Sequence, residues 1–543
     1  MTLKLKDLDK PEILIGSGPA AIRAITEAIN ARKLPEVYVT DGRAVHVEQV
    51  SGSATATAGD DDSPLPVTAG EISAASLAAL LADHTYTYRE KTRKTRNGGA
   101  ETYREEATPG AQPLAAVLAR KTWPGVLPLH GIVGAPVLRP DGTLLQDSGY
   151  DRQTGVYLCS KIPLKPVPAR PTPKQVAAAR THLLDKFLGD FPWVSDADKA
   201  NYVGVLVTPI LRRYLHSLIP FVVYTATMPS SGKTILTSGP GMLYGQRVLT
   251  WTHSDDELRK SITAVLAEQV GSVIFDNLAE GTVIESPVLA RLITDRTWAD
   301  RILGGNKIGG GANDRLWSAT GNNLLLGGDM ATRTVLVRLD PKVPRPEERS
   351  GFKIPGLDQW ILEPGNQRLI LWHLLVLVID WTQHGAPRKA GLTPMRQFTP
   401  WAEGVGGFLE HHGVAGFLGN IETVRDIDEQ DAMWTAFLAR WHKVFVTEPQ
   451  TSSQVRKSAE VAEWGHDQWD GLFLADGRGK PVNEVSLGRR LKGQIGRYHG
   501  SFVLRSDQDR HNKIRTWWVE EYSGSPAQPP ATPATPARKP VTC

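Results

Sequence analysis

Phe221-Val222-Val223-Tyr224-Thr225-Ala226-Thr227-Met228-Pro229-Ser230-Ser231-Gly232-Lys233-Thr234 sets an apolar run directly before a loop of small residues that ends in Gly-Lys-Thr. A buried strand feeding such a loop is the layout of a phosphate-binding P-loop, whose backbone N–H groups turn toward a triphosphate. In that reading Thr227, Pro229, Ser230, Ser231 and Gly232 line the cradle, Lys233 brings a point charge to the β and γ phosphates, and the Thr234 hydroxyl ligates magnesium. The usual pattern begins with glycine, and Thr227 stands in its place. Ser-Gly-Lys-Thr alone also fits a surface turn, so the neighbouring segments decide between the two.

Three of those segments repeat one theme, an apolar strand with a polar tip. Gly271-Ser272-Val273-Ile274-Phe275-Asp276-Asn277 ends in a carboxylate that can hold magnesium beside Thr234, or can cap the following turn. Leu316-Trp317-Ser318-Ala319-Thr320-Gly321-Asn322-Asn323 ends in amides; Asn322 can orient a water against the γ-phosphate, or form an Asx-turn. Arg333, before the strand pattern at residues 334–339, suits a finger that reaches a neighbouring subunit's nucleotide, or a surface ion pair. Each piece is ambiguous, but the order of loop, acid, amide and arginine is jointly restrictive and points to nucleotide hydrolysis. Asn277 occupies the place after the acid where many ATPases carry a glutamate, which leaves Asp276, Glu280 or Glu257 to act on the water. Gly239-Pro240-Gly241 is expected to interrupt or end the helix that starts at the P-loop.

Together with Asp255-Asp256-Glu257-Leu258-Arg259-Lys260, Thr297-Trp298-Ala299-Asp300-Arg301-Ile302-Leu303-Gly304 and Gly327-Gly328-Asp329, these stretches resemble phage- and mobile-element-encoded ATPases of the superfamily 3 helicase type. The segment Pro136-Val137-Leu138-Arg139-Pro140-Asp141-Gly142-Thr143, with Gly149-Tyr150-Asp151, resembles the region before the motor in the same proteins. The resemblance implies an α/β fold with an AAA+-like P-loop motor on a mostly parallel sheet. It also implies ATP and Mg2+ as cofactors, and a hexameric ring translocating on single-stranded or forked DNA in phage or mobile-element replication, beside a separate primase or polymerase. By position it makes Lys233 and Thr234 the Walker A pair, Asp276 the Walker B acid, Asn322 sensor 1 and Arg333 the trans-acting finger. The DNA-tracking hairpin would fall at residues 302–314 with Lys307 near its tip, where a lysine can follow phosphates without reading bases.

A nucleic-acid partner is also suggested further on. Residues 487–498 carry Arg489, Arg490, Lys492 and Arg497 on a helical pattern, followed by Phe502-Val503-Leu504-Arg505, a polar loop through Arg510 and Lys513, and residues 514–519. Helix plus two-stranded wing is a winged-helix layout, with Arg505, Arg510, Lys513 or Arg515 at the DNA backbone; a basic lid on the motor has the same pattern.

Elsewhere the 543 residues exceed one ordinary core, and the net charge of +4 is too small to establish a nucleic-acid partner by itself. The two cysteines, Cys159 and Cys543, exclude a disulfide framework or a cysteine zinc site, and a reducing cytoplasm is expected, which the resemblance implies is that of a bacterial host. The N-terminus lacks a signal-peptide core, and residues 369–381 are too short and carry His373 and Asp380, so they read as a buried helix and no membrane role is expected. The expected organisation is a small α/β or α+β unit at 1–50, a linker-rich region at 51–112, a β-rich pre-motor segment at 113–173, the motor at 174–345, a helical region at 346–445, the winged helix at 446–522 and a disordered Pro/Ala/Thr tail at 523–543. Residues 51–70 and 89–112 read as exposed connections, with Asp60-Asp61-Asp62 a solvated run. Ile15-Gly16-Ser17-Gly18-Pro19-Ala20-Ala21 imitates a dinucleotide fingerprint, but a hairpin across Asp41-Gly42 replaces the crossover that a Rossmann unit requires.

Overall fold

The computed structural model describes residues 10–49, 67–95, 98–160, 162–228, 230–252, 254–266, 268, 270–280, 282–301, 308–322, 324–343, 345–421, 429–460, 483–496, 498–499, 501–508 and 515–521. It is a mixed α/β protein with a parallel central sheet, and among the described residues no helix is long and apolar enough to cross a membrane. The chain divides into two compact units, one of Met1–Leu325 with Asp329–Val424, the other of Leu326–Gly328 with Arg425–Cys543.

In the first unit the N-terminal region packs the helix Gly18–Asn30 against the helices Ala74–His84 and Ala111–Leu118, with Ile25, Leu77, Leu81 and Val117 buried between them. The hairpin Val37–Thr40 with Arg43–Gln49 turns at Asp41 and Gly42, both at positive φ (49° and 73°) as a tight two-residue turn requires. The strand Glu12–Leu14 pairs in parallel with Tyr86–Lys94 and not with Val37–Thr40, so no Rossmann crossover forms. The stretch 89–112, expected as an exposed connection, is exposed over its strands, but its residues up to Glu106 that the structure describes belong to a hairpin of Tyr86–Lys94 with Ala100–Glu106. Its strands are polar on both faces and show no two-residue apolar period. Their charges, which read as a linker, meet across the ladder as Lys91–Glu105 at 2.6 Å and Arg93–Glu101 at 2.8 Å. The stretch 51–66, including the aspartate run, lies outside the described residues.

The central sheet has five parallel strands: β1 (Phe221–Ala226), β2 (Gln246–Leu249), β3 (Ser272–Leu278), β4 (Leu316–Asn322) and β5 (Thr334–Leu339), in spatial order 2-3-4-1-5. Every residue of β1 is buried, as the apolar run demands of a central strand covered on both faces. The P-loop helix Lys233–Tyr244 does not stop at Gly239-Pro240-Gly241, contrary to expectation. Pro240 has no N–H for the carbonyl of Leu236, and the Tyr202 hydroxyl donates to that carbonyl instead at 2.7 Å. Gly239 makes room for it, since a Cβ there would lie 2.4 Å from the Tyr202 oxygen. Tyr202 comes from the 20-residue helix Asp196–Leu215, which packs against β5 and against the helix Lys233–Tyr244.

The region after β5 has Pro364–Gln383 and Thr399–His411 as its main helices, joined by irregular segments such as residues 384–395. In the second unit the helices Glu429–Phe445, Ser452–Glu460 and Glu484–Lys492 accompany a three-stranded antiparallel sheet of Tyr498–His499, Phe502–Gln508 and Arg515–Glu521. Trp434, Phe437, Trp441, Val455, Leu487, Leu491, Leu504 and Trp517 form its core. Between the first two helices Gln450 exchanges backbone hydrogen bonds with Trp517 at 2.7 and 2.8 Å, extending the sheet by one bridge. The tail from 522 onward is outside the described residues.

Candidate functional site

All five strands of the central sheet run the same way, so their C-terminal tips share one edge, and there the polar tips foreseen from sequence meet. Ala226 of β1 is in register with Asn322 of β4 and with Leu339 of β5. The Lys233 ammonium, on the first turn of the P-loop helix, donates to Asn322 Oδ1 at 2.6 Å. Lys233 is half-buried, and that burial holds its pKa below the ordinary lysine value, a penalty an anion in the loop would relieve. Ser230 (φ 57°) and Gly232 (φ 92°) take the left-handed backbone that curls N–H groups toward a common centre. Gly232 is also confined by Phe191, whose ring lies 3.4 Å from where a Cβ would sit. Thr234 is exposed beside Lys233; Ser231 is buried and its hydroxyl donates to the Met228 carbonyl; Pro229 lies outside the described residues.

Asp276 and Asn277 at the tip of β3 are both exposed, although alternate residues of a regular strand face opposite ways. A register shift between Phe275 and Leu278, with Asn277 at φ 53°, explains it by turning both out of the core. Thr320 of β4 then fixes the pair: its hydroxyl donates to Asp276 Oδ1 at 2.6 Å and accepts from the Asn277 N–H at 2.8 Å. Sequence reasoning missed Thr320, which reads as an ordinary β-branched strand residue. It also missed Asp340, just past β5, whose Oδ1 accepts from the Thr227 hydroxyl at 3.0 Å. The threonine that replaces the usual glycine thus ties the loop to the neighbouring strand. Of the carboxylates considered for the water, Glu257 is engaged with Lys260 at 2.6 Å, and Glu280 is exposed beyond β3.

Arg333 is not brought to this edge. Thr334 pairs with Phe221, the first residue of β1, which puts Arg333 at the opposite end of a strand roughly 17 Å long. Its guanidinium donates to the Ala290 carbonyl at 2.8 Å and to Asp329 at 2.5 Å, and only 15% of the side chain is exposed. Other arginines gather at the same N-terminal edge. Arg315 donates to the carbonyls of Ala312, Leu266 and Glu268, while Asp314 lies 3.0 Å from Arg315, 3.6 Å from Arg213 and 3.8 Å from Arg212. This cluster braces the base of a hairpin whose arms are Thr297–Arg301 and Ile308–Ala312, paired throughout. The hairpin therefore begins earlier than the 302–314 expected. Lys307 falls in the connection, outside the described residues.

In the second unit Arg489, Arg490 and Lys492 are exposed on the helix Glu484–Lys492, whose Leu487 and Leu491 face the core. Arg505, expected at a DNA backbone, is paired across the sheet with Glu520 at 3.0 Å, and Arg515 bonds Gln508 at 3.1 Å. Arg497, Arg510 and Lys513 lie outside the described residues.

No family model matches the chain, and neither does any curated protein. Among solved structures it is similar to the apo A form of the NrS-1 C-terminal region (305–718), at 11% identity, 79% of this chain, 96% of that chain and a TM-score of 0.36. It is also similar to the active helicase Cch of SCCmec type IV, at 11% identity, 80% of this chain, 90% of that one and a TM-score of 0.35. A third similarity is to the JCV helicase, at 13% identity, 47% of this chain, 73% of that one and a TM-score of 0.21.

Proposed function

We propose that the protein is an ATP-driven DNA helicase or translocase of the superfamily 3, AAA+-like type, acting as a homo-oligomeric ring in phage or mobile-element replication. The observation that carries this reading is the convergence on one sheet edge of the Lys233–Asn322 contact and the Thr320-held Asp276. Lys233 and the loop amides would hold the β and γ phosphates. Magnesium would bridge them to the Thr234 hydroxyl and Asp276, and Asn322, released from Lys233 when phosphate arrives, would orient the attacking water. Arg333 keeps the trans-acting role, with its bond to the 62% exposed Asp329 exchanged for a neighbour's phosphates. The braced hairpin carrying Lys307 would track the DNA, and the second unit would be a winged helix contacting phosphates through Arg489, Arg490 and Lys492.

The test is phosphate release with and without single-stranded DNA, together with fork unwinding. DNA-stimulated turnover lost in Lys233→Ala, and poisoning of wild type by admixed Arg333→Ala, are expected; active enzyme that never separates strands would remove the helicase reading. Joint replacement of Arg489, Arg490 and Lys492 by alanine is expected to lower the salt dependence of DNA binding by about one log unit per lost phosphate contact. A second reading, an ATP-switched DNA-binding initiator or regulator without processive unwinding, is favoured by Asn277, which puts an amide where a water-activating carboxylate would stand. It requires ATP binding without multiple turnover and sequence-specific duplex binding by the second unit.

A further inference from the structure

Outside the nucleotide edge, the C-terminal ends of two helices meet in a cluster of metal-ligating side chains. Asp380 is in the last turn of Pro364–Gln383 and His384 caps that helix, while His411 is the last residue of Thr399–His411. One ring nitrogen from each histidine and one Asp380 carboxylate oxygen lie within 4.8 Å of one another. His411 Nε2 is 2.9 Å from Asp380 Oδ2. His384 Nδ1 is 3.6 Å from Asp380 Oδ1 and 2.7 Å from the Asp380 main-chain carbonyl, a hydrogen bond that it would give up to ligate an ion.

From this geometry we propose that Asp380, His384 and His411 form a divalent transition-metal site, zinc being the natural occupant, that ties the two helix ends together. Bonds of 2.0–2.1 Å at tetrahedral angles put donor atoms about 3.3 Å apart. The histidine nitrogens lie 2.9 and 3.6 Å from the two carboxylate oxygens and the whole set within 4.8 Å, so rotation of the exposed His384 ring would draw the three onto one ion. An Asp and a His four positions apart share one helix face, which supplies two ligands from a single turn. Two imidazoles and a carboxylate are a borderline donor set of the kind zinc takes.

Two further observations point the same way. Both helices direct their C-terminal ends at the cluster, and each contributes partial negative charge that favours a cation there. His412, next in the chain, is turned so that its Nε2 meets the Leu377 carbonyl at 2.9 Å, an N–H donor in that role. Its Nδ1 then presents a lone pair 3.9 Å from Asp380 Oδ2, two acceptors facing each other with a gap a cation would fill. His384 is 61% exposed and gives the ion a path from solvent, while Asp380 and His411 are mostly covered. The site is independent of the nucleotide reading.

The test uses the full chain, stripped with chelator, reloaded with zinc and passed through gel filtration. About one zinc per chain and a raised melting temperature are expected, with affinity about tenfold or more weaker in His384→Ala and in His411→Ala. Cobalt substitution should give the visible bands of a tetrahedral nitrogen and oxygen site, lost in both variants. His384→Ala removes an exposed ring, so its unchanged nucleotide binding reports an intact fold. Wild type that retains no more metal than the His384→Ala/His411→Ala double variant, or variants that bind zinc and cobalt as wild type does, would overturn the proposal.

Discussion

The two edges of the central sheet are built from the same five strands and treat charge in opposite ways. At the C-terminal edge Lys233, Asp276 and Thr234 are half-buried or exposed, and each has bonding capacity facing outward. At the N-terminal edge Arg315 is 6% exposed and Arg333 15%, and their described bonds go to main-chain carbonyls and nearby aspartates. A guanidinium's fixed fork of donors suits it to gathering loose carbonyls at strand and helix ends, whereas a single ammonium on a helix N-terminus is suited to an incoming anion. The lesson is that a charged residue at a strand end is a candidate for chemistry where its partners leave it room or where, as for Arg333 and the exposed Asp329, one partner can be exchanged.

The contrast is sharpest in what mutation should do at each edge. Lys233→Ala is expected to reduce ATP turnover about a thousandfold, near 4 kcal/mol in the barrier, while leaving the denaturation midpoint in place. A comparable loss of stability with retained turnover would erase the distinction between the edges. Arg315→Ala should do the reverse: it leaves three carbonyls and Asp314 short of donors, and about 3 kcal/mol of unfolding free energy is expected to go in urea titrations. Turnover per folded molecule should hold.

Thr320→Val tests whether the acid is positioned by its neighbour strand. It keeps the strand shape but removes the hydroxyl between Asp276 and Asn277, so kcat should fall about tenfold, with magnesium dependence shifted to higher concentration. Smallest of the four, Tyr202→Phe strips the donor that replaces the missing N–H of Pro240, and about 1 kcal/mol of stability should be lost with turnover nearly unchanged. If Tyr202→Phe instead abolished turnover, the P-loop helix would have to depend on that one bond for its register.

Strand β1 with its loop, the acid tip of β3 and the amide tip of β4 were legible in the chain because each is a local pattern, an apolar run ended by a specific polar residue. The helix through Pro240 was not legible. Proline's defect is local, but its repair comes from Tyr202, 38 positions earlier in the chain. The hairpin at residues 86–106 was likewise hidden, since its stabilising charges pair across strands and look like a solvated run when read in order. Arg333 shows the same limit: sequence supplied the residue type, and only the register of β5 against β1 placed it at the far edge.

By itself, then, the sequence determined where the strands of the sheet end and which polar side chains stand at their tips, the residues for which phosphate and metal binding are proposed, because those features reside in side-chain chemistry and short-range backbone preference. Tertiary structure alone decided that Lys233 and Asn322 touch, that Thr320 holds Asp276, that Thr227 is tied to Asp340, and that the arginines of the other edge are already bonded. Those outcomes depend on strand order and register, which arise from packing the whole sheet and are carried by no single segment of the chain.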